Sequence, residues 1–244
     1  MNDHHVAAHC ARLAAGCLLR MRAGSGLAGR ELGDAGDAAA QRVLAEALTE
    51  WRPGDAVLSE ESTDDPVRLT ADRVWIVDPL DGTREYTELG RTDWAVHVAL
   101  WERGELTAGA VALPANGIVL STSDIPPPGR PLDGKPRIVV SRTRAPEFVS
   151  RLAEALDAVL LPMGSAGAKA SAVVRGEADV YVHGGGQYEW DSAAPVAVAR
   201  RYGLHTSRLD GTPLAYNQPN PYLPDLLVCR QDLAALVLAA LASG

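Results

Sequence analysis

An α/β fold (α+β in class), divided between two subdomains, is predicted from three observations along the 244-residue chain. Two helical stretches open it, closely spaced strands joined by short turns follow, and strand–helix alternation fills the second half. Residues 4–22 carry Ala, Leu and Val at helical spacing and predict a first helix. Residues 37–51 predict a second, beginning near Asp37 and stopping before Arg52-Pro53-Gly54-Asp55. Ala56-Val57-Leu58 is a short buried strand ending at Ser59-Glu60-Glu61, and residues 74–78 form the next, ending at a pair of aspartates. Strands near 93–101, 106–112 and 117–122 follow, with hairpin-like connections at Glu102-Arg103-Gly104-Glu105 and Ala115-Asn116-Gly117, which predicts an antiparallel meander.

Asp124-Ile125-Pro126-Pro127-Pro128-Gly129-Arg130-Pro131 is the best linker candidate and divides the chain into subdomains 1–130 and 131–244. Beyond it, strand 137–141 leads to helix 146–157, strand 158–162 to helix 166–176, and strand 179–183 to helix 191–202. Strand 204–208, a loop, strand 226–229 and a last helix from near 231 complete the α/β layer. A crevice between the two subdomains is the expected location of a site.

The composition, 47% hydrophobic and 22% charged, is that of a soluble globular protein. A formal net charge of −8 argues against a nucleic-acid-binding surface, although a bound divalent cation would still let a small anion approach. Met1-Asn2-Asp3-His4-His5 carries no basic n-region and no apolar h-region, and no apolar run is long enough to span a bilayer, so a cytoplasmic protein without a membrane partner is expected. Cys10, Cys17 and Cys229 are odd in number and lack a Cys-x-x-Cys pair, which fits neither a disulfide framework nor a zinc site. Cys10 and Cys17 lie two helical turns apart and are both expected to face the core. Only Lys135 and Lys169 among the 23 basic residues are lysines, so Lys169, in the small-residue segment Gly164-Ser165-Ala166-Gly167-Ala168, calls for a specific reason.

The most informative stretch is Val74-Trp75-Ile76-Val77-Asp78-Pro79-Leu80-Asp81-Gly82-Thr83. A buried strand that stops in two carboxylates carries them to a sheet edge, where their repulsion must be offset. A hard divalent cation with oxygen ligands is the usual solution. Gly82 and Thr83 then offer backbone N–H groups to an anion. Metal and anion side by side point to phosphate-ester chemistry. Glu60 and Asp191, the latter in Glu189-Trp190-Asp191-Ser192-Ala193-Ala194-Pro195, are candidates for the same site. Read by itself, Asp191 would be an N-cap, and Glu60-Glu61 a solvated turn. The aspartyl-phosphate motif Asp-x-Asp-Gly-Thr of haloacid-dehalogenase phosphatases does not fit, because Asp78 precedes Asp81 by three residues rather than two. Gly24-Ser25-Gly26-Leu27-Ala28-Gly29 matches G-x-G-x-x-G but follows a helix, so it is expected to be a flexible loop; His5 and His9 have metal-ligand spacing but lack the zincin glutamate. Trp75, Trp94 and Trp101 are expected in the core or the crevice wall.

Asp78-Pro79-Leu80-Asp81-Gly82-Thr83 resembles the Asp-Pro-Ile/Leu-Asp-Gly-Thr signature of the inositol monophosphatase superfamily, and the resemblance extends over nearly the whole chain. Ser59-Glu60-Glu61 is similar to its Gly/Ser-Glu-Glu motif, and Trp190-Asp191-x-Ala-Ala to its second signature. Gly33-Asp34-Ala35-Gly36-Asp37 stands where the family has Thr-x-x-Asp. Within the superfamily, Asp81-Gly82-Thr83-Arg84-Glu85-Tyr86, Val139-Val140-Ser141-Arg142-Thr143-Arg144 and Gly164-Ser165-Ala166-Gly167-Ala168-Lys169 resemble segments of the CysQ-type bisphosphate nucleotidases. The last of these contacts nucleotide in that group, which supplies a reason for Lys169. The chain departs from the pattern in three places. It lacks a lysine before Asp37, where a short glycine-rich loop is expected. His183 stands where the group's phosphate-holding arginine would be. Gly184-Gly185-Gly186-Gln187 replaces the usual loop.

The resemblance implies a layered αβαβα fold and a phosphomonoesterase using Mg²⁺, about two or three ions per site. It implies that Glu60, Asp78 and the Leu80 carbonyl hold one ion, and Asp78, Asp81 and Asp191 a second. Asp37, Glu60 and Thr83 would position and deprotonate the attacking water, and the Gly82 and Thr83 amides would hold phosphoryl oxygens. Ser141, Arg142, Ser165, Lys169 and His183 are the candidates for the rest of a small anionic phosphate ester, with 3′-phosphoadenosine 5′-phosphate the expected substrate and lithium an expected inhibitor. The alternatives are an inositol monophosphatase or fructose 1,6-bisphosphatase activity, and a catalytically silent metal and phosphate sensor. Either a monomer or a homodimer is compatible with the sequence.

Overall fold

The computed structural model describes residues 1–127, 131–143 and 145–243. Two long Ala- and Leu-rich helices, α1 (Asp3–Gly24) and α2 (Gly29–Trp51), pack against each other and start the chain. Strands β1 (Ala56–Ser59), β2 (Arg73–Asp81), β3 (Ala95–Glu102), β4 (Glu105–Leu113) and β5 (Ile118–Ser121) form the first sheet in that order, with a short helix α3 (Thr83–Thr87) between β2 and β3. β1 pairs parallel to β2, and from β2 to β5 the strands run as the expected antiparallel meander. The second half continues with β6 (Arg137–Ser141), α4 (Glu147–Ala155), β7 (Val159–Met163), α5 (Ala166–Val174), β8 (Val180–Tyr188), α6 (Glu189–Arg201), β9 (His205–Ser207), β10 (Tyr222–Cys229) and α7 (Ala234–Ala242). Its sheet has the order β7-β6-β8-β10-β9 and is mixed: β6 is parallel to β7 and β8, whereas β10 is antiparallel to β8 and β9.

The apolar residues divide this architecture into α–β–α–β–α layers. Val96, Val98, Leu100 and Trp75 on one face of the first sheet pack under α1 and α2 through Leu18, Leu44 and Leu48. The opposite face, with Ile76, Ala95 and Ala99, meets α5 and α6, which also cover Val139, Tyr181 and Val228 of the second sheet. The outer face of the second sheet, with Ile138, Val180 and Leu227, is closed by Val149 and Leu152 of α4 and Val237 of α7. The α5–α6 layer is rich in alanine, and these small side chains fill the space between the two sheets. Trp75 and Trp94 are buried and Trp101 packs against the core; Cys10 is buried and Cys17 half-buried. No helix among the described residues is long and apolar enough to cross a membrane.

Four local expectations need correction. The segment expected to be a glycine-rich loop before Asp37 is helical, since α2 starts at Gly29. Gly33 and Gly36 disfavour a helix on propensity alone. They are retained because a Cβ at either would stand 2.8 Å from Thr83 or Tyr86, so bare backbone is what lets α2 lie against α3. Strand β2 does not stop at Asp78: it runs through a bulge between Asp78 and Asp81 and pairs again at Asp81. Gly184, Gly185 and Gly186 are not a loop but part of β8: Gly184 pairs with Asp225 of β10, and Gly185 and Gly186, at φ 87° and 82°, form a bulge before pairing resumes at Gln187. Helix α6 begins at Glu189, which places Asp191 in its first turn rather than at the N-cap; the Tyr188 N–H donates to its carboxylate at 2.6 Å. Of the expected linker, Pro128, Gly129 and Arg130 lie outside the described residues, and so does Arg144. Asp124, at the linker's start, is docked, accepting hydrogen bonds from the Ser121 N–H and the Tyr202 hydroxyl.

Glu189 anchors the start of α6. It is fully buried, and its carboxylate accepts the Asn217 and Gln218 N–H groups at 2.6 and 2.8 Å. Asn217 in turn bonds to the buried Arg68 guanidinium at 2.7 Å. Replacing Glu189→Ala leaves two amides without their acceptor and should lower the unfolding free energy by about 1–3 kcal/mol in urea denaturation. An unchanged midpoint would mean that Glu189 does not anchor the segment.

Candidate active site

Three carboxylates converge where β2 ends and α6 begins. Ligand atoms of Asp78, Asp81 and Asp191 all lie within 4.8 Å of one another. The bulge in β2 is what allows both β2 aspartates to reach this point, since residues three apart on a regular strand would face opposite sides. Asp78 is fully buried: one oxygen accepts the Leu80 N–H at 3.0 Å, while Oδ2 has no hydrogen-bond partner. Burial, together with the charges of Asp81, Glu60 and Asp191, pushes its pKa well above the carboxylate range. Burial and Asp81 likewise raise Asp191 to about 6.

Asp81 behaves differently because donors surround it. Its carboxylate accepts the Ser165 hydroxyl and the Gly167 N–H (2.6 Å) on Oδ2 and the Ala166 N–H (3.1 Å) on Oδ1. These come from the first turn of α5. Burial alone would raise Asp81; contact with His97 and the hydrogen bonds from Ser165 and Gly167 outweigh it and hold the group at about 2. Ser165 adopts φ 49°, an unusual conformation for a residue with a side chain, which aims its hydroxyl at Asp81 while its Oγ also accepts the Ala168 N–H.

Glu60 stands at the rim, exposed as a residue, with its carboxyl near enough to Asp191 and Asp81 to feel their charge. Burial of that end and the charges of Asp191, Asp81 and Glu61 push it up to about 7. Asp37, on α2, is raised to about 7 by burial and by Glu61 and Glu60. The Thr83 hydroxyl lies 3.5 Å from Asp37 Oδ2 and 3.2 Å from the Leu80 carbonyl. The expected Asp37/Thr83 pair is therefore adjacent in space.

A cleft of about 530 Å³ adjoins these groups and is lined by Gly82, Thr83, Ser141, Arg142, Lys169 and His183 among others. Arg142, at the end of β6, bonds Glu85 at 2.9 Å and Glu88 at 2.7 Å. Lys169 is buried; its ammonium donates to the Ser165 and Gly164 carbonyls at 2.6 and 3.3 Å and sits 5.4 Å from the Tyr181 ring centroid. Burial lowers its pKa. Its position under the Ser165 turn is a second reason for a lysine here. Burial also lowers His183, whose Nε2 is enclosed without a hydrogen-bond partner.

Sequence reasoning missed His97, Glu85 and Asp93. His97 is fully buried against Asp81, and Asp93 accepts the Gly164 N–H at 2.6 Å. A histidine among alanines in Ala95-Val96-His97-Val98-Ala99 was the available signal for the first. The donor set fits a hard divalent cation: oxygen ligands only, an orphaned buried carboxylate oxygen, and pKa values raised by burial and by mutual repulsion that a cation would relieve.

The profile of the inositol monophosphatase family matches residues 6–243, and the chain belongs to that family. It is 51% identical to the "3′-phosphoadenosine 5′-phosphate phosphatase" of Mycobacterium leprae, with 99% of this chain and 94% of that protein aligned. It is 31% identical to the "3′(2′),5′-bisphosphate nucleotidase CysQ" of Escherichia coli K12, over 78% of this chain and 81% of that protein. The crystal structure of CysQ from Bacteroides thetaiotaomicron superposes with a TM-score of 0.80 at 25% identity, covering 94% of this chain and 97% of the other.

The raised carboxylates set a pH dependence. Where the folded-state pKa exceeds the ordinary value of 3.8 or 4.5, the folded protein holds more protons, so stability is fully present at low pH and is lost as pH rises through the folded value. In EDTA the Tm should therefore fall by about 3 °C or more from pH 5 to pH 7.5. Millimolar Mg²⁺ should reverse the loss, with a gain that grows with pH because ligands bind deprotonated. A Tm in EDTA that is flat or rises across this range contradicts the accumulation of repelling carboxylates.

Proposed function

We propose that this family member is an Mg²⁺-dependent phosphomonoesterase that hydrolyses 3′-phosphoadenosine 5′-phosphate to AMP and phosphate. The observation that carries the metal-dependent chemistry is the convergence of Asp78, Asp81 and Asp191 beside an open cleft, with Asp78 Oδ2 unsatisfied. The substrate is supported by the likeness to the M. leprae protein of that name over almost the whole chain.

Glu60, Asp78, the Leu80 carbonyl, Asp81 and Asp191 would hold the metal. When bound, it supplies Lewis acidity that neutralises phosphoryl charge and acidifies water. The chain's own residues do the rest. Asp37 and Glu60, both near pKa 7, are matched to accept a proton at neutral pH. Thr83 orients Asp37 by its hydroxyl. The Gly82 and Thr83 amides, at the cleft wall, would hold phosphoryl oxygens as charge develops. Ser141, Arg142, Lys169 and His183 would contact the nucleoside and its second phosphate; Ser165 serves the substrate indirectly, through Asp81. His183, held neutral by burial, would offer a hydrogen bond rather than a charge. Three free cysteines support a reducing cytoplasmic setting.

One observation favours a second reading, a sugar or polyol phosphatase. The cleft's cations are largely spent within the protein, Arg142 on Glu85 and Glu88 and Lys169 on backbone carbonyls. Comparing kcat/KM on 3′-phosphoadenosine 5′-phosphate, inositol monophosphate and fructose 1,6-bisphosphate decides between them; the nucleotide should lead by at least about tenfold, ~1.4 kcal/mol, and the reverse order would establish the second reading. Asp81→Asn should lower kcat/KM on the order of 10³-fold. Hydrolysis at the original rate in that variant would exclude the proposed chemistry.

A further inference from the structure

His97 is the buried titratable group that the reaction as described does not use. It lies on the face of β3 that points toward α5 and α6, flanked at i−2 and i+2 by Ala95 and Ala99, whose small side chains leave room for a ring. It is fully buried and stands in register with Asp78 across the β2–β3 pair. Its Nδ1 is 3.0 Å from the Trp190 carbonyl oxygen, which can only accept, so Nδ1 carries a hydrogen and donates. Its Nε2 is enclosed in close contact with Asp81 Oδ2, at 3.3 Å, without completing a hydrogen bond, and Nδ1 is 3.9 Å from Asp78 Oδ2.

Filling volume does not require a histidine. Burying an imidazole costs more than burying an apolar side chain of similar size unless its nitrogens are used. The surroundings are also shaped to this ring. A Cβ at Gly167 would stand 2.0 Å from His97 Nε2 and 3.0 Å from the Ala95 Cβ. The bare backbone of Gly167 thus lets the first turn of α5 close over the imidazole, and its N–H reaches the same Asp81 oxygen that His97 faces.

We propose that His97 is a positioning residue for the divalent cation: its ring is a strut between Asp81 on β2 and the Trp190 carbonyl at the start of α6, and so sets the separation of Asp81 from Asp191. Asp81 and Asp191 lie on different elements with no covalent path shorter than the intervening chain. Asp81 is held from one side by the α5 amides. The imidazole packs against the same carboxylate at 3.3 Å and is hydrogen-bonded to the carbonyl of the residue next to Asp191. Groups that orient metal-binding carboxylates typically alter metal affinity or activity 10–100-fold when removed. The proposal rests on the metal-site reading given above.

The test is Mn²⁺ binding to the metal-free full chain without substrate, measured by calorimetry and by the EPR signal of the bound ion, in His97→Leu, His97→Asn and His97→Gln. His97→Leu should bind Mn²⁺ about 10–100-fold more weakly, with an altered EPR spectrum. His97→Asn keeps a donor near the Nδ1 position, and His97→Gln a polar atom near Nε2; each should recover part of the affinity. The Tm gain on adding Mn²⁺ should shrink in the same order. If His97→Leu does not fold, His97→Asn carries the test and should bind at least about threefold more weakly than the parent chain, ~0.7 kcal/mol. Folded variants that all bind Mn²⁺ as the parent does, with the same EPR spectrum, overturn the proposal. Asp78→Asn serves as the reference. If the parent chain binds no Mn²⁺, the metal-site reading itself fails. If the parent binds, Asp78→Asn does not, and the His97 variants match the parent, only the strut is wrong.

Discussion

Mutual repulsion among buried carboxylates is the constraint around which this structure is organised. Asp78, Asp81 and Asp191 come together at the junction of β2 and α6, with Glu60 and Asp37 close by. Bringing such charges out of water is costly unless each is paired or coordinated. The protein meets the cost unevenly. Asp81 is saturated with donors from the α5 turn and held ionised near pKa 2, while Asp78 and Asp191 are raised and Asp78 keeps an unsatisfied oxygen. One fully stabilised anion beside two groups that favour protonation is an arrangement suited to exchanging protons for a cation.

The layering is what produces this convergence. α5 and α6 form the middle layer, and both start next to the end of β2. Their N-terminal turns therefore face the same carboxylates, one giving N–H and hydroxyl donors, the other giving Asp191. Farther out, Arg142 from the second sheet reaches Glu85 and Glu88 beside the first, and Asp93 receives the Gly164 amide. Polar contacts thus tie the two halves together along the cleft, next to the chemistry. The family assignment and the physical reading agree here, since both direct attention to the same short segments.

The sequence by itself determined the element types, the meander, the α/β second half and the acidic strand end, because each is a local pattern of burial or turn chemistry. Asp78-Pro79-Leu80-Asp81-Gly82-Thr83 carried the site on its own, since a buried strand tolerates two carboxylates only for a purpose. Tertiary structure alone decided the rest. Gly33 and Gly36 look like loop residues by propensity and are helical because α2 must touch α3. Gly184–Gly186 look like a turn and lie within a strand because β10 pairs with Gly184 and Gln187 on either side of a bulge at Gly185 and Gly186. Ser165 and Lys169 line the cleft, and only the fold shows that the first also bonds Asp81 and the second carbonyls of its own turn. His97 carried little local signal, because its meaning comes from Asp81 and Trp190, which are distant in sequence and meet it only once the sheet has paired and α6 has packed across it.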